Sequence, residues 1–294
     1  MRRRQVLTIV LVVLAALAVA ACGSSKKKKS SSTSATPAQT VSLSLGIAEK
    51  GKKASFTAPA STQGGIVNVT LHNKGKTPHE AQFARADPGH TIKDVLKAAA
   101  GNGPPPWAHL VGGVSAVAPG QTGTATLSLA AGDYFVLDTA NGPGPGGPPA
   151  VKALKVTGGA GGSLPSTPTT VTAASPSKDK FKWVINGSLK TGDNRVTFVS
   201  KGDPEAIHFI GAFRLKGKVS DAQVKKALKQ QGKPPPFVDP STFANTTILD
   251  SGKSAVVSLP LKKPGEYILF CPLKDRDGGK PHDQEGLLTR VNVK

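Results

Sequence analysis

The chain has 294 residues, enough for two domains of ordinary size, each with a core of its own. Aromatic residues make up only 5%, whereas glycine (33) and proline (24) are plentiful, which favours short strands and turns over a helical bundle. The net charge of +20 does not indicate nucleic-acid binding. The basic residues lie at the N-terminus (2–4), in a run of four lysines (26–29), or scattered along the chain without interleaved aromatic residues. Attraction to an anionic membrane or wall surface is the simpler interpretation.

The first 22 residues are predicted to be an export signal. A basic start precedes an apolar run at 6–19, which is too short for a lasting transmembrane helix, and small residues precede Cys22. The stretch VAAC resembles a bacterial lipoprotein box. This resemblance implies acylation of Cys22 and a lipid anchor at the extracytoplasmic face of the membrane, with 23–40 as a flexible tether. An ordinary secretory signal with Cys22 merely nearby is the alternative.

Two stretches of the chain match one another, which indicates a tandem duplication. Residues 65–97 and 192–226 both contain a strand, a Lys-Gly turn, a histidine and an arginine six residues after it. The paired positions are His79 with Arg85, His208 with Arg214, and PPPW at 104–107 with PPPF at 234–237. The sequence therefore predicts domains at 41–157 and 178–294, joined by a Gly/Ser/Thr/Pro-rich linker at 158–177.

Within each predicted domain the apolar residues alternate, as in half-buried strands. Repeated short strands separated by turn signals favour an antiparallel sandwich or barrel, so the fold class is predicted to be all-β. One helix is expected in each domain, at 91–100 and 220–231. The openings TIKD and SDAQ resemble capping boxes, and Gly101 and Gly232 provide the stops.

The candidate site lies near the C-terminus. Cys271 ends the alternating run YILFC, and His282 follows eleven positions later, after a polar loop. His208 occupies an apolar stretch, IHFIGAF, earlier in the second domain. Taken singly, His208 fits a hydrogen-bonded core residue, Cys271 a buried inert thiol and His282 a solvated loop residue. Their joint occurrence, in this order in one domain, favours a metal site.

The order His208, Cys271, His282 resembles that of the cupredoxins, small blue copper proteins, and in particular bacterial cupredoxin-like lipoproteins that end in a cysteine, a loop and GKPH. The resemblance implies two tandem Greek-key β-sandwiches, each with one short inserted helix. It also implies copper held by two imidazoles and a thiolate, which exchanges electrons with a redox partner protein. Such a ligand set suits both copper oxidation states. No enzymatic activity is expected.

The chain departs from this pattern in several places. Ten residues separate Cys271 from His282, and Leu287 stands where the resemblance places an axial methionine; Gln284 and Glu285 are nearby oxygen donors that offer an alternative. In the first domain Asp138 occupies the cysteine position and Ala150 the histidine position, so only His79 is retained and that domain is predicted to be metal-free. The remaining histidines, which share no ligand spacing, are expected to have surface or core roles: His72, His90 and His109.

A second function, from a different class, is a copper-free binding or structural lipoprotein that uses the duplicated sandwich as an interaction module. A hydrolase is disfavoured, because the chain has no GxSxG, HExxH or paired-carboxylate motif.

Overall fold

The computed structural model describes residues 40–99, 101, 103–140, 149–159, 162–229 and 234–294, and residues 38–294 belong to one compact unit. The described part of the chain is mostly β, with nineteen strands and two α-helices. The predicted leader, Cys22 and nearly all of the predicted tether lie outside the described residues, as do Ala100 and Gly232 at the predicted helix ends.

The first half of the chain, residues 41–157, contains nine strands and one helix. They are β1 (Val41–Lys50), β2 (Lys53–Thr57), β3 (Ser61–Gln63), β4 (Gly65–Asn73), β5 (His79–Ala86), α1 (Ile92–Ala99), β6 (Ala108–Val117), β7 (Thr122–Leu129), β8 (Gly132–Leu137) and β9 (Val151–Thr157).

The second half, residues 169–294, contains ten strands, one α-helix and one 3₁₀ turn. They are β10 (Thr169–Ser177), β11 (Lys180–Asn186), β12 (Gly192–Lys201), β13 (Ile207–His208), β14 (Gly211–Leu215), α2 (Asp221–Lys229), β15 (Val238–Asn245), β16 (Leu249–Asp250), β17 (Ser254–Leu261), β18 (Gly265–Phe270), the 3₁₀ turn His282–Gln284 and β19 (Leu288–Val293).

Residues 169–177, which the sequence places in the linker, form strand β10. Its Ser/Thr-rich composition hides an alternating pattern, because Thr169, Val171, Ala173 and Ser175 are buried while the residues between them are only partly covered. The buried face of β10 consists of small side chains, so the segment has the composition of a linker although its residues alternate as in a strand. The second half therefore begins about nine residues before the predicted boundary at 178.

Most strand pairings of the first half have an equivalent in the second; the pairings of β3 with β9 and of β13 with β16 do not. β1 pairs antiparallel with β2 and parallel with β4, and β10 pairs antiparallel with β11 and parallel with β12. Likewise β5 pairs with β6 and β8, as β14 pairs with β15 and β18, and β9 follows β8 as β19 follows β18. The structure thus gives β11, which carries Phe181, and β18, which ends beside Cys271, counterparts in β2 and β8 of the first half.

Each helix starts with reciprocal hydrogen bonds between its cap and its third residue. The Thr91 hydroxyl accepts from the Asp94 N–H while the Asp94 carboxylate accepts from the Thr91 N–H, at 3.4 and 2.8 Å. Ser220 and Gln223 make the corresponding pair before α2, at 3.3 and 2.8 Å. These are capping boxes, which satisfy backbone donors that the helix itself leaves without acceptors.

The two halves share sheets and one hydrophobic core. β7 pairs with β17, which produces an eight-stranded sheet in the order β11-β10-β12-β17-β7-β4-β1-β2. β16 pairs with β6 in a seven-stranded sheet of order β13-β16-β6-β5-β8-β9-β3, and β15-β14-β18-β19 form a third sheet. Buried side chains of both halves, such as Leu127 and Ala255, belong to a single cluster.

Several side chains also link the halves, among them Gln82 and Arg276. The Gln82 amide donates to the Ile248 carbonyl at 3.1 Å, and its oxygen accepts from the Ile248 N–H at 2.6 Å. Arg276, in the loop between Cys271 and His282, donates to Asp250 at 2.6 Å. It also donates, across to the first half, to the carbonyl oxygens of Pro104, Pro105 and Ala108, at 2.8 to 3.0 Å.

Replacing Arg276 by Met is expected to lower the free energy of unfolding by about 3 kcal/mol, because it leaves the mostly buried Asp250 carboxylate without its donor and removes one hydrogen bond from each of three carbonyls. Urea unfolding measures the change. Lys155→Met removes an ion pair whose two side chains are more than half exposed, and is expected to cost less than about 1 kcal/mol. Equal unfolding midpoints for the two variants would contradict the predicted role of Arg276.

Candidate metal centre

The structure brings the three predicted ligands together. His208 ends the short strand β13, Cys271 directly follows β18, and His282 opens the 3₁₀ turn. All three side chains are fully buried, and one ligand atom from each lies within 4.8 Å of the others. Such spacing is close to that of donors sharing one ion at about 2.0 to 2.3 Å.

The ten-residue loop between Cys271 and His282 folds back on itself and returns His282 to the sulfur. A bridge between Asp275 and Gly278 forms the tip of the loop. At its base, the His282 N–H donates to the Leu273 carbonyl and the Asp283 N–H donates to the Cys271 carbonyl, both at 2.8 Å. The Cys271 Sγ and the His282 Nδ1 are then 3.8 Å apart, so the length of the loop does not separate the two ligands.

A carboxylate orients the His282 ring. The Nε2 of His282 lies 3.0 Å from the Asp275 Oδ1, and both side chains are buried. An N–H at Nε2 donates to this carboxylate and leaves the Nδ1 lone pair directed towards Cys271, the arrangement common for metal-ligating histidines. The sequence places Asp275 in the loop before the candidate ligand His282. That position did not identify it as the partner of the His282 ring, because the loop has another acidic residue.

An aromatic ring from β11 encloses the two imidazoles. Phe181 stacks on His282 with ring centroids 4.3 Å apart and meets His208 edge-on at 5.4 Å. The His208 and His282 rings are themselves 4.7 Å apart. Phe181 lies ninety residues before Cys271 in the chain, and sequence reasoning did not connect it with the site.

Burial keeps both imidazoles neutral. It lowers the pKa of His208 to about 3, with a smaller contribution from neighbouring His282, and lowers the pKa of His282 to about 4. Neutral imidazole is the form that binds metal. Both ring nitrogens of His208 are buried without a hydrogen-bond partner, which is an unusual and costly state for a polar group.

The thiol is held in its protonated form. Burial raises the pKa of Cys271 to about 12, although backbone N–H groups of Phe209 and Leu273 act in the opposite direction. Burial, followed by the charges of Asp203 and other nearby carboxylates, also raises the pKa of Asp275 to about 6. In the metal-free chain burial thus favours the protonated thiol of Cys271, whereas a bound cation favours the thiolate.

The donor set fits a soft or borderline metal ion such as copper. One sulfur and two imidazole nitrogens converge, and the unpartnered His208 nitrogens have no other acceptor or donor to satisfy them. Leu287 is fully buried and offers no donor side chain; its N–H donates to the His282 carbonyl at 2.8 Å. Gln284 is exposed and Glu285 is not part of the cluster, so neither alternative donor joins the three ligands.

The corresponding place in the first half contains an ionic cluster. The Nδ1 of His79 lies 2.6 Å from the Asp138 Oδ2, and its Nε2 lies 3.0 Å from the Glu49 Oε1. Both nitrogens donate at once only in the protonated imidazolium. Hydrogen bonds, the strongest from Thr77, hold the pKa of Glu49 at about 2, whereas burial raises that of neighbouring Glu80 to about 7. Ala150, at the predicted histidine position, is buried.

The other histidines of the first half have separate surroundings. His72 contacts the Thr122 hydroxyl at 3.1 Å, and His109 contacts Asp87 at 3.0 Å on the surface. His90 stacks on Trp107 with ring centroids 4.0 Å apart. These three residues are not brought together with His79.

Comparison with known proteins gives matches among solved structures alone: no protein-family profile and no curated protein matches the chain. A multicopper oxidase is 14% identical over 87% of this chain and 89% of its own, with a TM-score of 0.26. Auracyanin A from Chloroflexus aurantiacus, a "blue" copper protein, is 17% identical over 40% of this chain and 99% of its own, with a TM-score of 0.28. The copper nitrite reductase of Nitrosomonas europaea is 16% identical over 87% and 94%, with a TM-score of 0.24.

All three descriptions name copper proteins, the class that the sequence resembles. With TM-scores below 0.5, these likenesses carry no argument about the site, which rests on its geometry. The expectation that the chain has no enzymatic activity is contradicted, because the similar structures include an oxidase and a nitrite reductase, and it is withdrawn. No helix within the described residues is long and apolar enough to span a membrane.

The two buried histidines make the metal-free protein sensitive to acid. In the unfolded chain His208 and His282 become protonated below about pH 6.5, whereas in the folded chain they stay neutral down to about pH 3 and 4, respectively. The free energy of unfolding therefore falls as the pH drops from 6.5 to about 3. His208→Leu is expected to remove about 3 kcal/mol of the loss between pH 7 and 4, and to be nearly neutral at pH 7, because both nitrogens lack partners.

Urea unfolding at several pH values, with a chelator present, measures this difference. His109→Leu, at a partly exposed histidine outside the cluster, is the matched control and is expected to keep the parent slope. If the free energy of unfolding changes with pH as steeply in His208→Leu as in the parent chain, the prediction fails. His208 would then bind its proton as readily in the folded chain as in the unfolded chain.

Proposed function

We propose that the chain binds one copper ion through His208, Cys271 and His282 and transfers electrons to or from a redox partner protein. The single observation that carries this proposal is His208, whose two ring nitrogens are fully buried without partners beside a thiol and a second neutral imidazole. A metal ion satisfies such a nitrogen, whereas a purely structural core histidine normally has a hydrogen-bond partner.

Each residue has a separate task in this proposal. His208 and His282 supply neutral nitrogen donors, and Cys271 supplies the sulfur after losing its proton to solvent. Copper bound there supplies one-electron redox chemistry between Cu(I) and Cu(II). Asp275 fixes the orientation of the His282 ring, while Phe181 and Leu287 exclude water from the cluster. Rigid surroundings of this kind limit ligand movement when the charge of the site changes.

The scaffold is proposed to be a pair of cupredoxin-like Greek-key sandwiches from a duplicated domain, each with one short helix. The matching strand pairing of the two halves and their matching capping boxes support this proposal. In the first half the Glu49–His79–Asp138 cluster occupies the place of a ligand set, so that half is proposed to be metal-free. Acylation of Cys22 is proposed to anchor the chain at the extracytoplasmic face of the cell membrane, as the lipoprotein-like sequence favours.

Titration of the full chain with Cu(II) is expected to produce an intense visible band from thiolate-to-copper charge transfer. Cys271→Ser is expected to abolish the band, because an alcohol does not replace the thiolate. His109→Gln changes a histidine outside the cluster and is expected to keep the band at full intensity. If copper washes off the parent chain and Cys271→Ser alike without a band, the proposal fails and the copper-free interaction module becomes the leading function.

Asp275 offers a finer test of the site. Asp275→Ala removes the acceptor of the His282 Nε2–H and is expected to weaken Cu(II) binding about 10- to 100-fold, because the ring is then free to rotate or change tautomer. Asp275→Asn keeps an oxygen acceptor and is expected to lose less affinity. Competition against a chelator of known affinity measures both variants, and equal affinities for the parent chain and Asp275→Ala would contradict the orienting role.

A further inference from the structure

The first half contains an apolar cavity of about 250 Å³ between α1 and the sheet behind it. Its walls include Ala84 of β5, Val95 and Ala99 of α1, Trp107 and Leu137. Ala84 and Val95 are buried, whereas Ala99 and Trp107 are partly exposed, so the cavity has a closed inner end and a mouth at the surface.

Comparison of the halves explains why the cavity exists. Where β5 pairs with β8, Ala84 lies opposite Phe135 and the next residue lies opposite Tyr134. Where β14 pairs with β18, Phe213 lies opposite Ile268 and the next residue lies opposite Tyr267. Ala84 and Phe213 are therefore equivalent positions. Thr91 and Ser220 cap the two helices in the same way, which makes Ala99 equivalent to Leu228, each eight residues after its cap. The first half thus has two alanines where the second has a phenylalanine and a leucine.

The second half fills the equivalent space with its own side chains. Phe213 meets Phe270 edge-on at 5.4 Å, and both belong to a cluster that contains Val224 of α2 and is covered by Leu228. In the first half the corresponding cluster contains Ala86, Val95 and Phe135, with Trp107, Leu137 and Val151 packed against it. Phe135 and Trp107 are larger than Ile268 and Phe237 of the second half, yet a cavity remains beside Ala84 and Ala99. A natural core normally avoids such a void, because each missing contact lowers stability.

The polar groups on the cavity wall are already engaged. The Asp138 carboxylate accepts from His79 and from the Glu80 N–H, and the Thr139 hydroxyl donates to Glu80. The Gln82 amide bonds backbone groups of Ile248 and Gly112. An occupant therefore finds neither a free hydrogen-bonding partner nor a counter-charge in these side chains, which selects for an uncharged molecule.

We propose that this cavity is a binding site for an uncharged, flat apolar molecule of about two fused rings. An engineered apolar cavity of about 150 Å³ accommodates benzene, so about 250 Å³ leaves room for a second ring. Trp107, held in place by the stacked ring of His90, supplies a flat wall against which an aromatic ring packs. This proposal does not depend on copper binding.

Titration of the full, ¹⁵N-labelled chain with indene, an uncharged two-ring hydrocarbon, tests the proposal by NMR. The chain has two tryptophans, and only Trp107 lines the cavity. The indole N–H signal of Trp107 is expected to shift saturably, while that of Trp183, in β11, stays unchanged. Absence of a saturable shift at Trp107 up to the solubility limit of indene overturns the proposal, whatever the variants show.

Variants that restore the side chains of the second half provide the specificity control. Ala99→Leu and Ala84→Phe are each expected to weaken indene binding at least tenfold by filling the cavity. Ala130→Leu adds the same side chain at an exposed position outside the cavity and is expected to bind as the parent chain does. If either cavity variant retains the parent fold, seen in its NMR spectrum, and the parent affinity for indene, the molecule binds elsewhere and the proposal fails.

Discussion

Burial of two imidazoles and a thiol in one cluster is the constraint on which the second half depends. Each buried polar group without a partner costs about 1 to 3 kcal/mol, and His208 alone contributes two such nitrogens. The surrounding structure holds the three side chains in contact despite this cost: β13 and β18 deliver two of them, and the folded loop returns the third. A metal ion shared by the three side chains offsets part of this cost, because it binds the sulfur and one nitrogen of each imidazole.

The first half has equivalent strands, but its buried histidine is paired with carboxylates. Where the second half leaves neutral donors unsatisfied, His79 is enclosed by the carboxylates of Asp138 and Glu49, so its hydrogen-bonding capacity is used within the chain. Asp138 additionally accepts from the Glu80 N–H, which ties the cluster to the start of β5. With Asp138 at the cysteine position, Ala150 at the predicted histidine position and Glu49 beside His79, the first half thus has a cluster whose polar groups pair within the chain.

The resemblance of the order His208, Cys271, His282 to that of the cupredoxins predicted the cluster. Strand alternation and the apolar run place Cys271 and His208 in the interior, but no local pattern places His282 there. Phe181 and Asp275 were not predicted, since one lies far away in the chain and the other depends on how a ten-residue loop folds. The alternating strands and both helix starts follow from local patterns. Pairing of β7 with β17 depends on register between distant strands, and no local pattern reports it.

Arg276 joins the ligand loop to the first half through carbonyl oxygens of the segment that contains Pro104, Pro105 and Ala108. Because every residue type carries a backbone carbonyl, the side chains at these positions are free to vary without breaking the contact. The path of the segment is not free, since an insertion or deletion there moves the acceptors away from the guanidinium. The contact with Arg276 therefore constrains the length and path of this segment rather than the identity of its side chains.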